Sequence, residues 1–214
     1  MTDDLDLNIS VTSLSGATRA KRRFDAVLTI EDPLFRNGLR FHKKPHPDQL
    51  VLMFEDVDTY QSTVAMPAIQ HVEAAISFGR EHAGGKLLVH CKAGVARSTA
   101  LALAIIADRL GEGNEAAAVR YLLKIRKESA PNLFLLDMID DYLERGGKLK
   151  AAWMSVENAS AHYAEHRKLK REMLEKNPAL YREPFHCLSY SAWRYRPNTL
   201  IREGVIEPTA APRP

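Results

Sequence analysis

His90-Cys91-Lys92-Ala93-Gly94-Val95-Ala96-Arg97-Ser98-Thr99 decides how the rest of this chain is read. Ahead of it, Lys86-Leu87-Leu88-Val89 is short, apolar and partly β-branched, the pattern of a buried strand. Behind it, Ala100 to Leu110 is almost wholly apolar and stops at Gly111, the pattern of a buried helix with a glycine terminator. Cys91 is therefore expected in a strand-to-helix loop. The amides of such a loop turn inward as an anion-binding nest, and the helix N-terminus adds to the positive field. A phosphate cradle is the chemistry this pattern suits.

Each residue type then has a task. Inward amides, a helix end and a nearby guanidinium favour a thiolate, so Cys91 is expected to attack phosphorus directly. Arg97 offers a bidentate fork to two phosphoryl oxygens, which lysine cannot reproduce. Gly94 lets the backbone turn where a Cβ would block the ligand. Lys92, Ala93, Gly94, Val95 and Ala96 supply the amides that hold the phosphate, together with Arg97. Ser98 is placed to donate to the sulfur and help it leave. His90 is expected to brace the loop rather than touch substrate.

His-Cys-x-x-Gly-x-x-Arg-Ser resembles the signature of cysteine-based protein tyrosine and dual-specificity phosphatases, a similarity covering residues 8 to 150. Short length and Pro131-Asn132 with Phe134 resemble the compact dual-specificity branch. The resemblance implies a phosphocysteine intermediate, no metal or other cofactor, and an upstream aspartic acid as general acid. A phosphate ester leaves poorly without a proton, so an acid is needed on chemical grounds too. Val51-Leu52-Met53-Phe54 empties into Glu55-Asp56-Val57-Asp58, three carboxylates on one loop. Asp56 ranks first, Asp58 second and Glu55 third.

The remainder of the chain agrees with an α/β domain: a central mixed sheet flanked by helices, with a C-terminal extension. Strands are expected at Asn8–Val11, Phe24–Ile30 and Gln49–Phe54. Ile69, Val72 and Ile76 recur at helical spacing after Pro67, and Gly84-Gly85 ends that helix. Asn114 is expected to cap a helix carrying Ala118, Tyr121, Leu122 and Ile125 on one face, and Pro131-Asn132 opens another bearing Leu135, Met138, Ile139 and Tyr142. Strands alternating with helices, then helices in succession, indicate a sheet covered by helices. The division expected is 1–150 for the phosphatase-like domain and 151–214 for the extension, partly helical with a disordered end. His166 to Lys176 is its helix candidate, stopped near Asn177-Pro178.

Composition narrows the partners. A net charge of +3 over 214 residues gives no ground to expect nucleic acid. No apolar run approaches the roughly 20 residues of a membrane span, and the acidic start lacks a secretory pattern. Two cysteines, Cys91 and Cys187, make no disulfide framework, which points to the cytoplasm. The eight histidines show no ligand spacing, so no metal site is expected. Two basic clusters, Arg19-Lys21-Arg22-Arg23 and Arg36-Arg40-Lys43-Lys44, read as solvated surface, as do Arg126 and Lys127. Tyr181, Phe185, Tyr190, Trp193 and Tyr195 are expected to pack the extension onto the catalytic core or a second subunit. Cys187 reads as an ordinary buried thiol.

The expected activity is hydrolysis of phosphate monoesters, foremost phosphotyrosine in proteins or peptides with dual specificity open. Phosphoinositide hydrolysis is the main alternative: Cys-Lys-Ala-Gly resembles the loop opening of some phosphoinositide phosphatases, although Val95 and Ala96 add no charge there. A catalytically silent phosphate-binding module and a more distant rhodanese-type sulfur carrier complete the alternatives. Sequence leaves the oligomeric state and physiological substrate open.

Overall fold

The computed structural model describes residues 6–33, 45–58, 64–176, 190–196 and 199–205. Six strands form one sheet in the order β1-β4-β2-β3-β5-β6. β1 (Ile9–Ser13), β4 (Leu87–Cys91), β2 (Ala26–Glu31) and β3 (Gln49–Met53) are mutually parallel. β2 and β4 are buried along their whole length, because helices cover both faces of the parallel part. That double burial is why both read as continuous apolar runs rather than alternating ones.

α1 (Leu14–Ala20), capped by Ser13, packs on one face through Ala17. α2 (Ile69–Glu81) and α3 (Arg97–Leu110) pack on the other, with α4 (Glu115–Ile125), α5 (Leu133–Tyr142) and α6 (Lys148–Asn158) outside them. α3 is buried from Arg97 through Ala107, its alanines letting it lie close to the sheet. Ile69 is the exception to its predicted face, at 38% exposure. Asn114 does not cap α4 as expected. Its amide donates back to the carbonyls of Leu110 and Glu112, while Glu115 accepts from Gly113 N–H. Asn132 does cap α5, its Oδ1 accepting from Leu135 N–H at 3.0 Å.

From α6 onward the chain is tied to the core. Leu149 and Trp153 of α6 are fully buried in the main core, and Asp140 accepts from the N–H groups of Leu149 and Lys150. α7 (Ala161–Lys176) starts earlier than the sequence predicts. β5 (Ser191–Arg196) then pairs antiparallel with β3, and β6 (Thr199–Val205) with β5. These strands were not foreseen, because aromatic and arginine residues mask their alternation. Tyr190 packs its ring 4.9 Å from His71, which also lies 4.7 Å from Phe54. Among the described residues, no helix is long and apolar enough to cross a membrane.

The carboxyl ends of β4, β2 and β3 converge at one edge, delivering Cys91, Glu31-Asp32 and Phe54-Glu55 side by side. Open parallel sheets present ligands at this edge.

Candidate active site

The loop after Cys91 holds every carbonyl outward. Lys92 C=O accepts from Leu14 N–H at 3.1 Å, and Ala93 and Gly94 C=O accept from Arg126 at 3.4 and 2.9 Å. Val95 C=O accepts from Ala130 N–H and the Thr99 hydroxyl; Ala96 C=O accepts from Ala100 and Asn132 N–H and the same hydroxyl. With the carbonyl ends fixed outside, the amide dipoles face the loop interior. Gly94 N–H donates to Cys91 Sγ at 3.3 Å, and Ser98 Oγ lies 3.2 Å from the sulfur. Gly94 has φ +72°, and a Cβ there would lie 2.5 Å from the carbonyl of Thr12. No other residue fits the turn.

A buried chain of polar groups supports the loop from beneath. Gln49 Nε2 donates to Thr29 Oγ1, which contacts His90 Nε2 at 2.9 Å, while His90 Nδ1 lies 3.2 Å from Cys91 C=O. Because the Cys91 carbonyl can only accept, the ring proton of the neutral imidazole sits on Nδ1, and Nε2 accepts the Thr29 hydroxyl proton. Burial pushes His90 down to about 4, so it stays neutral. It braces the loop, as expected.

Arg126 corrects the sequence reading. Expected on a solvated surface, it instead ties down two loop carbonyls. Its place before Pro131, similar to that of basic residues flanking the pocket in some phosphatases of the resembling family, was the available signal; its partners lie over thirty residues away.

Arg97 is only 4% exposed. Its Nη1 donates to Asp32 Oδ1 at 2.8 Å and to Phe54 C=O at 2.7 Å, and Nη2 reaches Asp32 Oδ2 at 3.4 Å. Burial disfavours the charge, but Asp32, Asp56 and Cys91 outweigh it and the guanidinium stays ionised. The Asp32 carboxylate thus engages the fork as a phosphate would. Sequence reasoning missed Asp32; its position immediately after a buried strand was the available signal.

The three loop acids separate cleanly. Burial and the adjoining Asp32 push Glu55 up to about 8, so it holds its proton at neutral pH. Burial opposes the ionisation of Asp56, but Lys170, Arg97 and Asn132 prevail and hold it below the usual carboxylate range. Asp56 Oδ1 accepts from Asn132 Nδ2 at 2.9 Å and from Lys170 Nζ at 3.0 Å. Asp58 pairs with Lys170 at 2.9 Å and faces Arg167 at 3.9 Å. Glu55 and Asp56 line the cleft with Cys91 and Arg97; Asp58 does not.

That cleft has a volume near 560 Å³. Lys92, Ala93, Val95 and Ala96 line it on the loop side, and His166, Leu169 and Lys170 of α7 line it opposite. In the first basic cluster, Arg19, Arg22 and Arg23 are exposed but Lys21 is buried at 3% exposure, against the expectation of a solvated face. Arg36, Arg40, Lys43, Lys44, Asn177-Pro178, Tyr181, Phe185, Cys187 and Pro208 to Pro214 lie outside the described residues.

No family model matches the chain, and no curated protein matches it in sequence. Solved structures do match. A human tyrosine phosphatase-like serine/threonine/tyrosine-interacting protein aligns with TM-score 0.50 and 21% identity, over 63% of this chain and 90% of its own. Tk-PTP in its active form aligns with TM-score 0.50 and 18% identity, over 65% and 94% respectively. PTPMT1 in complex with PI(5)P gives TM-score 0.48 and 20% identity, over 68% and 94%. The fold is that of the cysteine-based tyrosine and dual-specificity phosphatases in their compact form.

Proposed function

We propose that the chain is a phosphate monoester hydrolase acting through phosphocysteine, without metal. The observation that carries this reading is the loop itself: its carbonyls are bonded outside, while Gly94 N–H and the Ser98 hydroxyl converge on Cys91 Sγ. In the first step Sγ bonds to phosphorus as the ester P–O bond breaks, and Asp56 gives its proton to the departing oxygen. In the second, water attacks phosphorus, its proton passes to Asp56, and the S–P bond breaks as Ser98 donates to the leaving sulfur. Arg97 exchanges Asp32 for two phosphoryl oxygens. The arriving dianion also raises the proton affinity of Asp56, which is ionised in the free site.

Glu55 supports a second assignment of the acid, because it is the loop carboxyl already carrying a proton at neutral pH. Mutating each acid decides between them. Loss of the alkaline limb in Glu55→Gln alone would move the role to Glu55.

Phosphotyrosine in proteins or peptides is the substrate class we favour, with phosphothreonine hydrolysed more slowly. Ala93, Val95, Ala96 and Leu169 give the cleft apolar walls that suit an aryl ring. Phosphoinositides rank below it, since Val95 and Ala96 add no cation beside Lys92. A panel of phosphotyrosine, phosphothreonine and phosphoserine peptides and phosphoinositides, run with Cys91→Ser as control, tests the reading. Turnover retained in Cys91→Ser overturns the mechanism, and faster cleavage of a phosphoinositide than of every peptide overturns the substrate. The mechanism requires a reduced thiol, which suits the cytoplasm.

A further inference from the structure

α7 lies outside the segment that resembles the phosphatases, yet it reaches into the same cleft as Cys91. Lys170 is its closest link to the acid loop. Its side chain is only 10% exposed, and Nζ sits 3.0 Å from Asp56 Oδ1 and 2.9 Å from Asp58 Oδ2. Burying a lysine costs rotamer freedom and hydration, which an exposed ion pair would not recover. Here the ammonium is shared between two carboxylates of the acid loop.

The helix carrying it is anchored on a second side. Arg167 pairs with Glu157 through Nε at 3.0 Å and Nη2 at 2.9 Å, and donates to Pro131 C=O at 2.8 Å. Trp153 Nε1 donates to the same Glu157 at 2.6 Å. Lys170 is therefore held by the core of the molecule when it grips the loop. On the loop, Lys170 and Asn132 both bond Asp56 Oδ1, leaving Oδ2 as the oxygen able to carry the transferred proton.

We propose that Lys170 is a positioning residue for the general acid, so that the helix beyond the resembling segment completes the catalytic centre. This rests on the reading of Asp56 as the acid. Asp56 is faced by Lys170, Arg167 and His166 from α7, by Arg97 from α3, and by its loop neighbour Glu55. Removing Lys170 takes away the nearest of these cations and one of two anchors on Oδ1. Asp56 then keeps its proton to higher pH but loses its aim.

The test uses the full chain with Lys170→Met, Lys170→Gln and Lys170→Arg, beside Asp56→Asn and Cys91→Ser. Each is assayed on an activated aryl phosphate, on an ester with a poor leaving group, and for inhibition by vanadate. In Lys170→Met, kcat on the poor ester should fall roughly tenfold while the activated ester loses less than about threefold. Vanadate inhibition should hold, and the alkaline limb of kcat should move to higher pH. Lys170→Arg should restore most of the rate. Lys170→Gln, which keeps a donor without charge, should shift the limb with a smaller loss, and it serves if the methionine variant does not fold. Equal losses on both esters, or an unmoved limb in a folded variant, overturn the proposal. An impaired Asp56→Asn beside a normal Lys170→Met overturns the positioning role alone. An Asp56→Asn indifferent to the leaving group, or an active Cys91→Ser, overturns the underlying assignment as well.

Discussion

The cysteine wall of the cleft comes from one run of residues, His90 to Thr99, whereas the facing acid wall is gathered from Asp32, the Glu55–Asp58 loop, Asn132 and α7. The first wall is shaped by backbone turns that its own residue types dictate (a glycine at positive φ, a hydroxyl beside the sulfur, an arginine opening the helix), with Arg126 and His90 bracing it from outside. The second is fixed by ion pairs and side-chain amides between distant segments. A contiguous wall fails at once when its key atom is changed. An assembled wall is expected to fail by degrees, because each contact carries part of the geometry.

Substitutions in the two walls should sort by size accordingly. Cys91→Ser should drop aryl phosphate turnover to background while still binding vanadate or phosphate, since the proposed nucleophile is lost and the loop remains; residual turnover well above background would break the contrast. Arg97→Lys on its own should cost about a hundredfold and leave measurable turnover, because the charge stays but the fork is lost.

On the acid wall, Asp56→Asn should slow a poor leaving group by about a hundredfold and an activated one far less. On the cysteine wall again, Arg126→Ala, which frees the carbonyls of Ala93 and Gly94, should cost roughly tenfold in kcat through loosened amides. A larger loss from Arg126→Ala than from Asp56→Asn would show the loop to be no more self-sufficient than its partner. Asp32→Asn should act in the opposite direction, tightening inhibition by vanadate a few-fold, because the carboxylate competes for the Arg97 fork. Unchanged inhibition would mean that this pair is no obstacle to ligand.

The smallest effect concerns stability against pH. Burial holds His71 at about 3 and His90 at about 4, while unfolded histidine titrates near 6.5. Below that value the unfolded chain binds more protons, so their contribution is lost as pH falls towards the folded values. Glu55 runs the other way. Held at about 8, its contribution is complete below the ordinary carboxylate range and fades as pH rises through 8. Denaturation midpoints across pH should show Glu55→Gln declining less on the alkaline side than the parent; an identical decline would remove Glu55 from the account.

The same division explains what the amino-acid order disclosed. β4, α3 and the cysteine loop follow from apolar runs and local residue types, so their placement was legible. The acid loop was legible as a cluster with Asp56 ranked first, but its anchors were not, since Asn132, which bonds Asp56, and Lys170, which is shared by Asp56 and Asp58, lie far along the chain. Asp32 escaped, and Arg126 ranked as solvated surface, because each looks like ordinary surface until its partner is in place. β5 and β6 escaped for another reason: Trp193, Arg194 and Tyr195 pair with β3 through backbone, and an arginine-rich strand hides its alternation.

That last pairing has a consequence for how the chain is made. β3 receives its outer neighbour only when Ala192 to Tyr195 arrive, long after Leu50, Val51 and Leu52 have left the ribosome. Throughout synthesis its unsatisfied edge would be an apolar template open to any other nascent strand. Slow translation or an early stop ahead of Tyr190 should therefore favour inclusion bodies, even with the complete Cys91 loop already made.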